Sequence, residues 1–317
     1  ALAVAAIPEG LPIVATVALA QGMLRLSKRQ VIIKKLEAIQ TLGATNIICT
    51  DKTGTLTEDK MKVQTVFFED NELFDIRKKS KKDFLGLRDK KAFHEIMMAS
   101  ILCNNVSPFD NSMLGDSIEV ALLDFAFQVG LEVNLIRENN LKRLEMPFDA
   151  DRKLMATSHQ NNQGFSVYVK GAFETLVAIC DTILKDGKPT FFTNKEEWHI
   201  KVNTLASQGL RTLAFAYKHA ENTPLNENLT NQLVFLGIIG FIDPAREDVK
   251  STINIYKKAG IKVIMVTGDH LKTAQKIAKE VGLLNNDASS KAVVHGKDLV
   301  NIFNSDKKMT AQLLDAS

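Results

Sequence analysis

Cysteine is scarce, with three in 317 residues. Cys49, Cys103 and Cys180 stand singly, which leaves neither a disulfide framework nor a paired thiolate site for metal or redox chemistry. The expected setting is reducing and intracellular. A surplus of one charge is also missing: 40 Lys and Arg against 37 Asp and Glu leave a net +3. That excludes the basic footprint of a nucleic-acid binder, and no nucleic-acid partner is expected. The histidines (His94, His159, His199, His219, His270 and His295) show no zinc-like spacing, and the lone Trp198 suggests no chemistry. Internal repeats and low-complexity tracts are absent. There is no initiating Met and no basic leader, so the chain reads as a piece of a longer protein without a signal peptide. With 45% hydrophobic residues, disorder throughout is excluded, and two or three domains are expected.

Charge is also nearly missing from the start. Between Ala1 and Leu24 only Glu9 is charged, and Arg25, Lys28, Arg29, Lys34 and Lys35 follow at once. About 20 apolar residues cross a bilayer, and basic residues mark the cytoplasmic flank. The spacing predicts a membrane helix over 1–27 and a stalk over 28–43, with everything after about residue 27 cytoplasmic. The competing reading is a buried helix of a soluble protein. Pro8 and Pro12 are expected to break or kink the helix, because proline lacks a donor and crowds the preceding turn. Carbonyls freed there, beside the Glu9 carboxylate, would make a cation site of hard oxygen ligands. A kinked helix with a protonated Glu9 fits the same residues.

Beyond the stalk the pattern is α/β. Asn46–Thr50 is a short apolar run that passes into Asp51-Lys52-Thr53-Gly54-Thr55-Leu56-Thr57. An acid at the carboxyl end of a parallel strand stands where open α/β sheets place ligands. Phe235–Ile242 is expected as a second strand, with Asp243 capping a helix that starts at Pro244. Ile261–Val266 is expected as a third strand, ending at Thr267-Gly268-Asp269, and a helix from Leu271 follows. This order implies parallel pairing with right-handed crossovers. Between the two halves lies an α+β insert, read over 67–234, with hinges near Val66 and Val234. It includes a strand at Phe165–Val169 and helices at Met97–Leu102 and Ile118–Phe127. Arg77–Lys82, Asn139–Asn140 and Asn222–Asn231 read as surface loops.

Several of these segments together resemble a P-type ATPase, a cation pump that phosphorylates its own aspartate. They are Pro8–Pro12 (PEGLP), DKTGTLT at Asp51–Thr57, Gly115–Glu119, PFDADRK at Pro147–Lys153 and KGA at Lys170–Ala172. Gly209–Arg211, DPAR at Asp243–Arg246 and TGD at Thr267–Asp269 complete the set, in the family's order. The resemblance implies a Rossmann-like phosphorylation domain of the haloacid-dehalogenase type over 44–66 and 235–317. The insert would be its nucleotide-binding domain. ATP and Mg2+ are the implied cofactors. The implied partners are the transported cation, the lipid bilayer, and the remaining membrane helices and actuator domain of the parent chain.

The same resemblance distributes roles. Asp51 would be the nucleophile, with Lys52, Thr53 and Thr55 beside it, Thr55 bonding a phosphate oxygen. Asp51 and the Thr53 carbonyl would hold Mg2+. Thr267, Gly268 and Asp269 would surround the transferred phosphate. Glu119, Phe148, Arg152, Lys170, Gly171, Arg211, Asp243 and Arg246 would serve the nucleotide, with Phe148 stacking on adenine. Ala150 stands where the calcium-pump pattern has arginine, so Arg152 or Arg211 would supply that phosphate contact. Related phosphatases carry a second Asp two residues after the nucleophile as general acid/base. Here that position is Thr53, and the phosphoenzyme is expected to persist.

PEGLP is similar to the calcium branch, with Glu9 as an oxygen ligand for calcium, and a sodium–potassium-type pump is the alternative. A soluble aspartate-nucleophile phosphatase and a regulatory nucleotide-binding module are the rivals from other classes. The family's downstream Lys and Gly-Asp-Gly-x-Asn-Asp run do not occur before Ser317, so this piece alone is not expected to pump.

Overall fold

The computed structural model describes residues 10–69, 74–76, 81–107, 115–162, 164–222, 224, 228–268, 271–285, 292–296 and 298. Pro8, Glu9, Asp269 and most of the expected loop at Arg77–Lys82 lie outside them. Helix α1 (Gly10–Ser27) has a mean hydropathy of 1.3 and buries none of its residues. It is the one described helix long and apolar enough to cross a membrane. Gly10, Leu11 and Pro12, where the sequence predicts a break or kink, are helical. A short helix α2 (Ala38–Gly43) precedes the first strand.

Two sheets follow. The smaller pairs β1 (Ile47–Asp51) with β11 (Lys262–Val266) in parallel, with Asp51 opposite Val266. Helices α9 (Val249–Lys258) and α10 (Leu271–Glu280) contribute Val249, Ile253 and Ile277 to a small core with Leu56 and Val281, against which Met265 of β11 packs.

The larger sheet has nine strands. Its main path pairs β2 (Lys62–Phe68), β10 (Leu233–Ile242), β9 (Arg211–Ala220), β6 (Gly164–Gly171), β5 (Leu154–Asn161) and β4 (Leu141–Asp149) in that order. β3 (Phe74–Asp75) pairs with β2, and the hairpin β7 (Cys180–Lys185) and β8 (Lys188–Phe191) joins β10. One face carries α3 (Lys81–Arg88), α4 (Lys91–Leu102), α5 (Ser117–Val129) and α6 (Val133–Asn139); the other carries α7 (Phe173–Ile179) and α8 (Lys195–Ser207). The strands alternate accordingly: Tyr168, Phe215 and Tyr217 enter the first core, Val167, Val169, Ala214 and Ala216 the second. Trp198, fully buried, centres the second core against Phe67 and Phe235.

The strand expected at Phe235–Ile242 exists, but not in the parallel sheet. β10 is antiparallel to β2 and β9 and parallel only to the short β7. Its unbroken apolar run reflects burial on both faces, which helix layers on either side of an antiparallel sheet produce as well as parallel pairing does. The ladder ties Lys62 to Ile242 and Val66 to Ile239. Val66 and Val234 therefore lie inside strands, not at hinges, and the connections between the sheets run through Thr57–Met61 and Asp243–Asp248. Gly237 allows the central crossing. Its φ is +153°, and a Cβ there would stand 2.2 Å from the Phe67 carbonyl oxygen. The bulge beside it turns Leu236 and Ile238 to opposite faces.

Candidate active site

Asp51 ends β1 with its side chain exposed, and its Oδ1 accepts from the Lys52 backbone N–H at 2.7 Å. Because Val266 lies opposite it, Thr267 and Gly268 leave the sheet directly alongside. The loop Lys52–Leu56 then turns sharply at Gly54, whose φ of +72° suits glycine and leaves Thr53 and Thr55 exposed. A carboxylate at the open end of two parallel strands, ringed by threonines, can meet an incoming phosphoryl group.

The Asp243–Arg246 segment clamps this loop. Asp243 does not cap a helix, since α9 begins only at Val249. Its Oδ2 instead accepts from Thr57 Oγ1 at 2.5 Å, across 186 residues of chain. The Arg246 guanidinium donates to the carbonyls of Thr57 and Gly54, both at 3.1 Å, and its backbone N–H to the Leu56 carbonyl at 3.0 Å. These bonds occupy Arg246 with the shape of the loop. Thr57, buried and given no role from sequence, joins loop to clamp. Its one signal was its place at the end of the DKTGTLT run.

A cleft of about 250 Å3 opens beside the loop, lined by Lys52, Arg211, Asp243, Met61, Thr273 and Ile277. Arg211 begins β9 and pairs in register with Phe241, so the sheet delivers Arg211 and Asp243 to the same edge. The preceding turn docks on α10, where Lys276 Nζ donates to the Gln208 carbonyl at 2.9 Å. Asp243 Oδ1 is buried without a hydrogen-bond partner.

The other sequence candidates gather further along the large sheet. Lys170 on β6 is 7% exposed, and its ammonium pairs with Glu119 Oε1 of α5 at 2.5 Å. A buried ammonium needs such a partner. Glu119 is placed by the start of α5, where Asp116 Oδ1 accepts from the N–H groups of Ile118 and Glu119. Phe148 on β4 is 64% exposed, unusual for so large an apolar ring. Phe148 and Lys170 flank the Leu154–Met155 stretch from two strands apart, roughly 10 Å in the sheet. Gly171 lies opposite Leu154 on β5. Arg152 is exposed in the β4–β5 turn. There Asp149 Oδ1 accepts from the N–H groups of Arg152 and Asp151, which holds that carboxyl below its ordinary value. Lys170 faces Phe215 and Gly171 faces Ala214 on β9, so Arg211 lies about 10 Å further along the strand, towards Asp51.

The structure thus brings together Asp51, Lys52, Thr53, Thr55, Thr267 and Gly268. It separately joins Lys170 with Glu119, and sets Arg211 and Asp243 between the two groups. Among the described residues no three His, Cys, Asp or Glu side chains make a metal site. Mg2+ suits such a place, because it is bound by one or two carboxylates together with substrate phosphates. The exposed Asp51 carboxylate is a donor of that kind.

A family model for the P-type ATPase cytoplasmic domain N matches residues 92–248. The chain is 37% identical over 316 residues to Calcium-transporting ATPase 1 of Bacillus cereus, covering 98% of this chain and 34% of that protein. It is 41% identical over 301 residues to Calcium-transporting ATPase 1 of Saccharomyces cerevisiae, covering 89% and 32%. It is 34% identical over 304 residues to human Calcium-transporting ATPase type 2C member 1, covering 91% and 32%. The chain spans about a third of the length of the curated relatives it matches.

Proposed function

The chain belongs to the P-type ATPases, and from that premise we propose that it carries the phosphorylation and nucleotide-binding machinery of an ATP-driven calcium pump. The observation that carries this reading is the exposed Asp51 carboxylate at the end of β1, with Thr267 and Gly268 emerging beside it. In this reading the domain of the haloacid-dehalogenase type comprises the small parallel sheet and its helices, and the nine-stranded insert is the ATP lobe.

Adenine lies on Phe148, Lys170 faces the nucleotide with its charge held by Glu119, and Arg211 directs the phosphates towards Asp51. An Asp51 oxygen attacks the γ-phosphorus. The bond from that phosphorus to the β–γ bridging oxygen breaks, and ADP departs with the electron pair. A carboxylate is ionised at neutral pH and needs no base for this attack. The exposed Thr53 and Thr55 and the half-buried Thr267 offer hydroxyl and backbone groups to the phosphoryl oxygens. Mg2+, held by Asp51 and the Thr53 carbonyl, would offset the repulsion between the two anions. Thr53 is a poor general base, so no side chain at that position draws a proton from water, and the aspartyl-phosphate survives long enough to drive a conformational change.

The apolar α1 is the membrane-facing part, with Glu9 as a ligand of the transported cation and residues after about 27 on the cytoplasmic side. The bilayer, further membrane helices and an actuator domain complete the pump. The calcium-pump names of the relatives and the PEGLP residues favour calcium over sodium and potassium. In a full-length protein carrying this chain, radiolabelled ATP should produce a calcium-dependent, acid-stable, hydroxylamine-sensitive phosphoprotein that Asp51→Asn eliminates. Labelling that persists in Asp51→Asn would refute the proposal.

A further inference from the structure

The loop between α4 and α5 makes contacts that the nucleotide reading leaves unused. Arg137 on α6 donates to the carbonyls of Ile101 at 3.1 and 3.0 Å and of Val106 at 2.7 Å. It thereby satisfies the Ile101 carbonyl, which the last turn of α4 leaves without a helical partner, and a carbonyl of the loop that follows. Asn104 is buried: its Nδ2 donates to the carbonyls of Ser100 at 3.1 Å and Glu119 at 2.9 Å, and its Oδ1 accepts from the Val106 N–H at 2.9 Å. Held from these sides, the Asn105 backbone N–H reaches Glu119 Oε2 at 3.1 Å. That is the carboxylate whose other oxygen holds Lys170.

The Asn105 side chain reaches the other way, to β4. Its Nδ2 donates to Glu145 Oε1 at 2.7 Å, and its Oδ1 accepts from Lys142 Nζ at 3.0 Å. Lys142 Nζ also donates to Glu145 Oε2 at 2.7 Å, which closes a three-membered ring of side chains. The Lys142 ammonium and the Asn105 amide hold the Glu145 carboxyl below its ordinary value. Asn105 and Lys142 are exposed, and exposed polar pairs add about 0–1 kcal/mol to stability. The consequence of the ring is therefore geometric. It ties the strand that carries Phe148 to the residue that orients Glu119 and Lys170.

We propose that Asn105 is a positioning residue for the nucleotide, its side chain setting the spacing between Phe148 and the Glu119–Lys170 pair. This rests on the reading of the insert as an ATP lobe. The test is calorimetric titration of the whole chain, in detergent micelles, with ATP. Asn105→Ala should weaken binding roughly three- to tenfold, the range of one lost hydrogen bond, without lowering the melting temperature. Asn105→Asp alone sets two carboxylates against each other and should also weaken it. The double variant Asn105→Asp, Glu145→Gln exchanges donor and acceptor at unchanged net charge, and should restore affinity to within about twofold of wild type.

Lys170→Met separates the two levels. If wild type binds no ATP, or Lys170→Met does not weaken binding, the nucleotide reading falls and the proposal with it. If Lys170→Met weakens binding but Asn105→Ala does not, the proposal alone is overturned. It is overturned equally by an affinity loss in Asn105→Ala that tracks a drop in melting temperature and that the exchanged pair fails to relieve.

Discussion

The two sheets treat their apolar side chains differently. In the nine-stranded sheet Phe215, Phe235 and Ile238 are completely buried, covered by helices on both faces. In the two-stranded sheet Ile47 and Val266 remain 51% and 58% exposed, and Cys49 is exposed too. Among the described residues the part read as the nucleotide lobe is covered on both faces, whereas the proposed nucleophile stands on a strand pair with open apolar surface, in a chain that spans about a third of its relatives' length. The first part can serve as a stiff scaffold by itself. A base and a lysine must be held at fixed spacing by a stiff scaffold, whereas the attacking carboxylate must stay open to a substrate brought from elsewhere.

If stiffness resides in two-sided burial, the sharpest way to break the contrast is at the central crossing. Gly237→Val places side-chain atoms against the Phe67 carbonyl and should cost about 4 kcal/mol or more. We expect circular dichroism to show the insert's cooperative thermal transition lost. A melting temperature within about 2 °C of wild type would contradict this, since 1 kcal/mol already shifts a domain by that much.

Acid offers a smaller perturbation of the same core. Burial pushes the His159 imidazole down to about 4, while its Nδ1 lies 3.2 Å from the Asn140 carbonyl. In the unfolded chain it titrates near 6.5. Between those values the unfolded chain takes up a proton that the folded one refuses. The stability from a neutral His159 is complete above pH 6.5 and declines towards pH 4, by up to roughly 3 kcal/mol. Urea midpoints at pH 7 and pH 5 should converge in His159→Gln relative to wild type.

The smallest effect lies on the open side. Thr57→Val removes the bond to Asp243 and should cost about 1–2 kcal/mol locally. Phosphoprotein formation should slow while ATP affinity and the insert's melting temperature stay unchanged. A matching loss of ATP affinity would show that the two parts are less separate than their packing indicates.

Much of this arrangement can be read along the chain. Ile47–Asp51 and Lys262–Val266 are short apolar runs that end in an acid and in Thr-Gly, and both were expected in one parallel sheet, although the strand–helix–strand order behind that expectation placed β10 there too. The alternation at Phe165–Val169 and the helix from Leu271 are equally local. β10 is the instructive failure: two-sided burial produces the same apolar run whether neighbours are parallel or antiparallel. Asp243-Pro244 has the composition of a helix start, yet it pairs with the loop after Asp51, because Thr57 lies within reach and the next helix turn does not form until Val249. Asn105 was invisible because nothing nearby in sequence marks a polar residue as bridging two elements.

Local chemistry accounts for the kinds of parts present: an apolar helix with a basic flank, a strand that delivers a carboxylate to its end, and a glycine turn after it. These follow from periodicity and side-chain type over a few residues. Which parts meet is another matter. The Thr57–Asp243 bond, the clamp by Arg246, the Asn105 ring and the shared cleft of Lys52 with Arg211 join groups far apart along the chain. They exist because strand register and helix docking place those groups within 3 Å or so of one another, and a hydrogen bond is sensitive to distances that sequence spacing does not encode.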